Sequence, residues 1–85
     1  MALKSYPVTV MRAMMDDNGQ VWVRCRFPDQ NPGDQWHIVE PGTPGAGSFL
    51  AIALTCLATG LPAEILIDDP PKDDSHLVQL QIVRG

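Results

Sequence analysis

The chain is expected to fold as one mainly β domain with one helix, a small five-stranded barrel in the order β-β-β-α-β-β. Three observations lead there. Val21, Val23, Cys25 and Phe27 alternate with Trp22, Arg24 and Arg26, which is the period of a half-buried strand. Asp16-Asp-Asn-Gly19 sits between two such segments and is hairpin turn chemistry. One segment alone breaks the pattern: from Phe49 to Ala58 only Thr55 is polar, and that segment reads as the sole helix.

Taken in order, Tyr6–Met14 is the first strand. Val8, Val10 and Met14 are expected to point one way, and Thr9, Met11 and Ala13 the other. Pro7 suits its beginning or an edge. After the Asp16–Gly19 turn, the second strand runs from Gln20 to Phe27, with Gln20, Trp22, Arg24 and Arg26 outward. Pro28–Asp34 is rich in turn formers and reads as a loop. Trp36–Glu40 is a short third strand, and Pro41–Gly47 connects it to the helix. Ser48 is the expected N-cap, because its hydroxyl can accept from an unpaired N–H. Gly60 is the expected left-handed stop, with Pro62 just beyond it. Ala63–Asp68 is the fourth strand, Asp69–Ser75 an exposed acidic turn, and Leu77–Val83 the fifth strand, with Val78, Leu80 and Ile82 inward.

The 85 residues make one domain, spanning residues 1–85. A chain this short buries roughly 60–65% of its extended surface, so stability commonly comes from disulfides, metals or association. Two cysteines make no disulfide framework, and no paired Cys or His spacing suggests a metal. The helix carries no charge, so it needs cover on more sides than one small sheet provides. Self-association is therefore expected, with Phe49, Ile52, Ala53 and Cys56 as the oligomer helix positions. The net charge is −4, and the six Lys and Arg are scattered along the sequence, so nucleic acid is not an expected partner. No apolar run is long enough to span a bilayer. No signal-peptide pattern opens the chain as given, and for that chain the expected compartment is the cytoplasm.

Several motifs invite a chemical reading. Gly42-Thr-Pro-Gly-Ala-Gly47-Ser48 follows a strand and opens a helix, as a phosphate-binding loop does, and Asp68–Asp69 imitates its acidic strand end. The lysine such a loop places before its Ser is missing, so a connection ending in a cap is the better reading. His37 and His76 have no second ligand at helical or hairpin spacing and read as ordinary histidines. Cys25 and Cys56 fall at expected core positions and read as small hydrophobes; whether they are bonded stays open at this level. Asp68, Asp69, Asp73 and Asp74 lack the Gly turn of a calcium loop and read as a solvated tip. No catalytic arrangement, cofactor site or metal site can be assembled, so a non-catalytic protein is expected. Trp22 lies on the polar face of its strand beside Arg24. With Trp36, these form the candidate ligand or interface residues, since Trp and Arg dominate binding surfaces and aromatic faces stack on sugars and bases.

Five strands with one helix between the third and fourth is the order of the OB-fold. The helix Phe49-Leu-Ala-Ile-Ala-Leu-Thr-Cys-Leu-Ala-Thr-Gly60, the following Ala63-Glu-Ile-Leu-Ile-Asp68 and the last strand Leu77-Val-Gln-Leu-Gln-Ile-Val83 together resemble the C-terminal half of pentameric toxin binding (B) subunits of the pertussis and subtilase-cytotoxin type. The resemblance implies an OB-fold barrel and a homopentameric ring, with helices around the pore and edge strands paired between neighbours. It also implies a carbohydrate-binding role. That family's intrachain disulfide has no counterpart in Cys25 and Cys56, and no sugar-binding residue matches position by position. The expected function is thus an oligomeric, ring-forming binding protein for a glycan or small ligand. The alternative is a structural assembly protein, phage or bacterial, whose ring is itself the function.

Overall fold

A computed structural model describes residues 2–28, 34–39, 45–69 and 71–83. The elements are β1 (Leu3–Met15), β2 (Val21–Arg26), β3 (Asp34–Val39), α1 (Ala46–Thr59), β4 (Ala63–Asp68), β5 (Ser75–His76) and β6 (Gln79–Ile82). The strands form one curled sheet in the order β5-β3-β2-β1-β4-β6. Every neighbouring pair is antiparallel except β3 with β5. The architecture is mainly β with one helix, as the sequence predicts.

The curl begins in β1, which is longer than the expected Tyr6–Met14. Residues from Leu3 to Val8 pair with β4, and residues from Thr9 to Met15 pair with β2. One strand therefore serves two halves of the sheet and must coil between them. The turn that follows is tied by Asp16: its amide donates to the Gln20 carbonyl, and its own carbonyl accepts from the Gly19 amide. Only Gly19 in this turn takes a positive φ, +79°, which suits a three-residue hairpin loop closed by a glycine.

The concave side of the sheet is the core. Val21, Val23 and Cys25 are wholly buried, as the alternation of β2 predicts, and Ala63, Ile65 and Ile67 of β4 repeat the pattern. Phe27 anchors the interior, with its ring 5.7 Å from that of Tyr6 and 5.8 Å from that of His37, both edge-on. The Tyr6 hydroxyl donates to Asp69 just past β4.

Two expectations about side-chain direction are corrected. Met14 was expected to share the inner face of Val8 and Val10, yet it is 46% exposed. A β-bulge between Val10 and Arg12 inserts an extra residue, and an extra residue reverses the faces of everything after it. Ala13 accordingly packs against the core in place of Met14. The segment Leu77–Val83, expected as one strand, is divided. The Leu77 amide donates to Ile38 of β3, and the next amide, Val78, donates to Leu66 of β4. The chain changes partner there, so the period breaks. Leu77 and Leu80 turn inward, and Val78 and Ile82 remain exposed at 50% and 38%.

The helix starts earlier than the Ser48 cap predicts. Gly45 takes the N-cap position with φ +80° and no side-chain cap, and the Ser48 amide donates to the Gly45 carbonyl inside the first turn. At the other end Gly60 is the left-handed stop that was expected, with φ +72° and its amide on the Cys56 carbonyl at 2.8 Å. The helix lies against β1, β2 and β6. Ala53 and Cys56 are buried beneath it, and Phe49, Leu50 and Ile52 are half-buried against the core. Its other side carries Leu54 and Leu57 at 50% and 38% exposure. The Thr55 and Thr59 hydroxyls donate back to Ala51 and Thr55 carbonyls, which removes most of the polarity the face might offer.

Cys25 and Cys56 are both free and buried. Burial first, and then the neighbouring Cys56, pushes the Cys25 thiol from 9.0 up to about 12. Since only the thiolate reacts, Cys25 in the folded protein should resist alkylation at pH 8 and react fully in denaturant. The expected rate ratio, measured by mass spectrometry of iodoacetamide adducts, is at least about a thousandfold; equal rates would place the thiol at the surface.

Candidate functional site

The outer face of β1, β2 and β3 collects the polar chemistry of the chain. Register does most of the placing. Arg24 lies directly opposite Trp36, Arg26 opposite Asp34, and Trp22 opposite Ile38. On the other side of β2, Arg24 is opposite Arg12 of β1. The expected candidates Trp22, Arg24 and Trp36 are thus brought onto one surface.

Contacts follow from those pairings. The two indoles meet edge to face, with centroids 6.2 Å apart and planes at 88°. The Arg24 guanidinium sits 5.5 Å from the Trp36 ring centroid, in the range of a cation–π contact. Asp34 binds Arg26 through both oxygens, at 2.7 and 3.2 Å, and lies 3.7 Å from Arg24. The hydrogen bonds from Arg26 hold the Asp34 carboxyl below the usual carboxylate range; desolvation opposes them, and the charges of Arg26 and Arg24 add to the lowering.

Trp22 is held from behind. Its indole N–H donates to Asp16 Oδ2 at 3.0 Å, and Asp16 Oδ1 accepts from the amides of Asn18 and Gln20, both at 3.0 Å. The Trp22 bond is the largest cause of the lowered Asp16 pKa. The Trp22 donor is therefore occupied within the protein, and its ring buttresses Trp36. Trp36 itself is fixed at the backbone. Its amide donates to Asp73 Oδ1 at 2.7 Å, and its carbonyl accepts from the Asp74 amide at 2.8 Å. Asp73 in the acidic turn, expected to be a solvated tip, thus holds the strand that carries Trp36.

Beside Trp36 opens a cleft of about 420 Å³ lined by Met11, Arg12, Arg24, Arg26, Asp34 and Trp36. It has the size of a small-ligand site. Sequence reasoning placed Arg24 and Trp36 here and missed Arg12, because strict alternation from Val8 and Val10 sends position 12 inward. The bulge turns it out. A charged residue at an inward parity was the one available signal. Three of the six basic residues, scattered in the sequence, therefore meet at one cleft.

The other candidates are dispersed. Gly42, Thr43 and Pro44 of the glycine-rich motif lie outside the described residues, and Ser48 is an exposed residue in the first turn of α1. Among the described residues no group of three or more His, Cys, Asp or Glu is placed to hold a metal ion. No helix among them is long and apolar enough to cross a membrane. His76 lies exposed in β5. A second, apolar groove of about 260 Å³ runs between α1 and β6, with Phe49, Ile52, Val78 and Leu80 in its walls.

His37 is the buried exception. It is wholly inside β3, with Nδ1 3.2 Å from the Ser75 carbonyl and Nε2 without a partner among the described residues. A carbonyl only accepts, so Nδ1 carries the hydrogen and Nε2 the lone pair. Burial lowers the imidazole pKa, opposed by the Ser75 carbonyl and by the charges of Asp73 and Asp74. The unfolded chain takes up this proton near 6.5, and the folded chain only at lower pH. The unfolded state then binds more protons as pH falls through 6.5, so stability should decline below that pH and be level above it. Urea midpoints at pH 7.5 and 5.0 should show this drop, and His37→Gln should flatten it; an unchanged drop in that variant would assign it elsewhere. No family model matches this chain, and neither a curated protein nor a solved structure matches it.

Proposed function

We propose that this is a non-catalytic binding protein, an OB-like barrel that takes a carbohydrate or other small ligand on the outer face of β1, β2 and β3 and whose copies assemble into a ring. The observation that carries the binding role is the open cleft beside Trp36 and Arg24. The aromatic ring there stands on a backbone-anchored strand, and guanidinium groups of the two neighbouring strands border it, rather than being packed away in the core. Preorganised side chains of these types are the usual anchors of binding sites.

The barrel topology is supported by the last segment. Its consecutive amides, Leu77 and Val78, bond to β3 and to β4, so the chain there lies between the two and would complete a five-stranded closed order. The toxin-subunit resemblance is consistent with that order. No comparison with a known protein bears on it.

Assembly is supported by apolar surface with no partner in the monomer. Ala53 and Cys56 face the chain's own core, so the helix positions available to a second copy are Leu54 and Leu57, with Leu61 just past the helix at 37% exposure. Phe49 and Ile52 remain partly accessible in the groove beside β6. Strand β6 ends the sheet, and an edge flanked by exposed Val78 and Ile82 invites pairing with another chain. These same features favour the second reading, a structural ring without a ligand. The two readings separate by ligand-observed NMR against a sugar panel: saturation transfer that is lost in Trp36→Ala, with the assembly intact, supports binding, and silence across the panel favours the structural ring.

The assembly itself has a direct test. Native mass spectrometry should give a species near five times 9.3 kDa. The double substitution Leu54→Lys with Leu57→Lys should reduce it to the 9.3 kDa monomer with an unchanged circular dichroism spectrum. A wild-type monomer would remove the ring, and an intact oligomer in the variant would move the interface off α1.

A further inference from the structure

We infer that the cleft beside Trp36 is selective for an anion, namely an oxyanion carried on a small ring such as a uronate or a sugar phosphate, with Arg12 and Arg24 as its charge partners. This deepens the ligand-binding reading above and rests on it.

The charge in the cleft is unbalanced. Arg12, Arg24 and Arg26 line it with Asp34 as the one carboxylate, which leaves two positive charges in excess, in a chain whose net charge is −4. Asp34 is committed to Arg26 by two hydrogen bonds, at 2.7 and 3.2 Å, and reaches Arg24 only at 3.7 Å. Among the described residues Arg12 has no carboxylate within ion-pair distance. Moreover, the register sets Arg12 directly opposite Arg24, and like charges opposed across a strand pair are destabilising.

Strand alternation alone would not produce this arrangement. Without the bulge, position 12 would share the inner face of Val8 and Val10. The bulge between Val10 and Arg12 instead sets both Met11 and Arg12 in the cleft wall. Bulges of this kind re-aim side chains beside binding sites. An oxyanion between Arg12 and Arg24 would relieve the opposition, and guanidinium forks match carboxylate and phosphate oxygens.

The neighbours of the charges select the rest of the ligand. Trp36 borders the cleft and Met11 lies in its wall, which offers apolar cover to one ring face. The Trp22 ring stands edge-on to Trp36 and keeps it from swinging. At about 420 Å³ the cleft suits a small ring compound. A single-stranded nucleic acid needs a basic groove that follows its backbone over several nucleotides, with successive stacking rings; this face has one compact charge cluster and one cleft-lining aromatic.

The test uses the full chain and ¹⁵N-detected NMR titration with glucuronate, glucose 6-phosphate and glucose, together with a thymidine oligonucleotide. Either anionic sugar should shift the amides around Arg12, Arg24 and Trp36 and bind at least about tenfold more tightly than glucose. The tighter of the two identifies the oxyanion. Affinity should fall as salt rises. Arg12→Gln should weaken anion binding about tenfold or more while leaving Tm unchanged or raised, because it removes the opposition to Arg24; Arg12→Lys should recover part of the affinity.

Four results would overturn the inference. Glucose binding as well as the anions on this face would leave the ligand-site reading standing and remove the selectivity. Tighter binding of the oligonucleotide would assign the face to nucleic acid. Anion binding unchanged in Arg12→Gln would place the charge recognition elsewhere. No shift on this face with any probe would remove both the inference and the ligand site beneath it.

Discussion

The structure depends on β1 being shared. Its first half hydrogen-bonds β4 and its second half β2, so the sheet cannot be flat. Coiling that strand brings the inner faces of β2 and β4 toward each other, and the core is the space between them. The valines and isoleucines of those strands, with Cys25, Ala63 and the rings of Phe27 and Tyr6, fill it. The same strand carries the bulge at Val10–Arg12, so the element that creates the core also shapes the outer cleft. Core and site are thus coupled by one irregularity in one strand.

The helix completes the core from outside the sheet. Its inner stripe is made of small and half-buried residues, Ala53 and Cys56 at the centre, which lets the helix backbone approach β1 and β2 closely. It differs from an ordinary surface helix in its outer stripe. A charged face would hydrate that side; here Leu54, Leu57, Ala51 and Ala58 meet solvent, and the threonine hydroxyls donate to the helix's own carbonyls. The imbalance belongs to the outer face alone, since the inner one is matched to the sheet.

At the site, position is enforced by groups that do not touch the cleft. Asp16 fixes Trp22 and the turn together, and Asp73 and Asp74 fix the backbone of Trp36. Both carboxylates lie in turns at the ends of strands. They immobilise two aromatic rings whose contact is edge-on, while Asp34 commits Arg26 and leaves Arg12 and Arg24 less neutralised. Asp16, Asp34 and Asp73 are therefore placed as supports around a basic patch, a locally positive surface in a chain of negative net charge.

Local pattern determined most of the elements. The alternation of Val21, Val23, Cys25 and Phe27, the Asp16–Gly19 turn, the uncharged helix and its Gly60 stop were all legible, because each depends on residues within a few positions of one another. The outward face of Trp22 and Arg24 was legible for the same reason, whereas their contact with Trp36 depends on the register of β2 with β3. Four features were decided only by tertiary structure. The bulge that exposes Met14 and Arg12 arises from pairing with β2, and a period-two count has no term for an inserted residue. The division of Leu77–Val83 arises because that segment has two partners, β3 and β4, far away in sequence. The clustering of Arg12, Arg24 and Arg26, and the burial of His37 against Phe27 and Ser75, require strands to be set side by side in one register. The sequence carries the residues for such pairings, but the register that makes them neighbours exists only in the folded sheet.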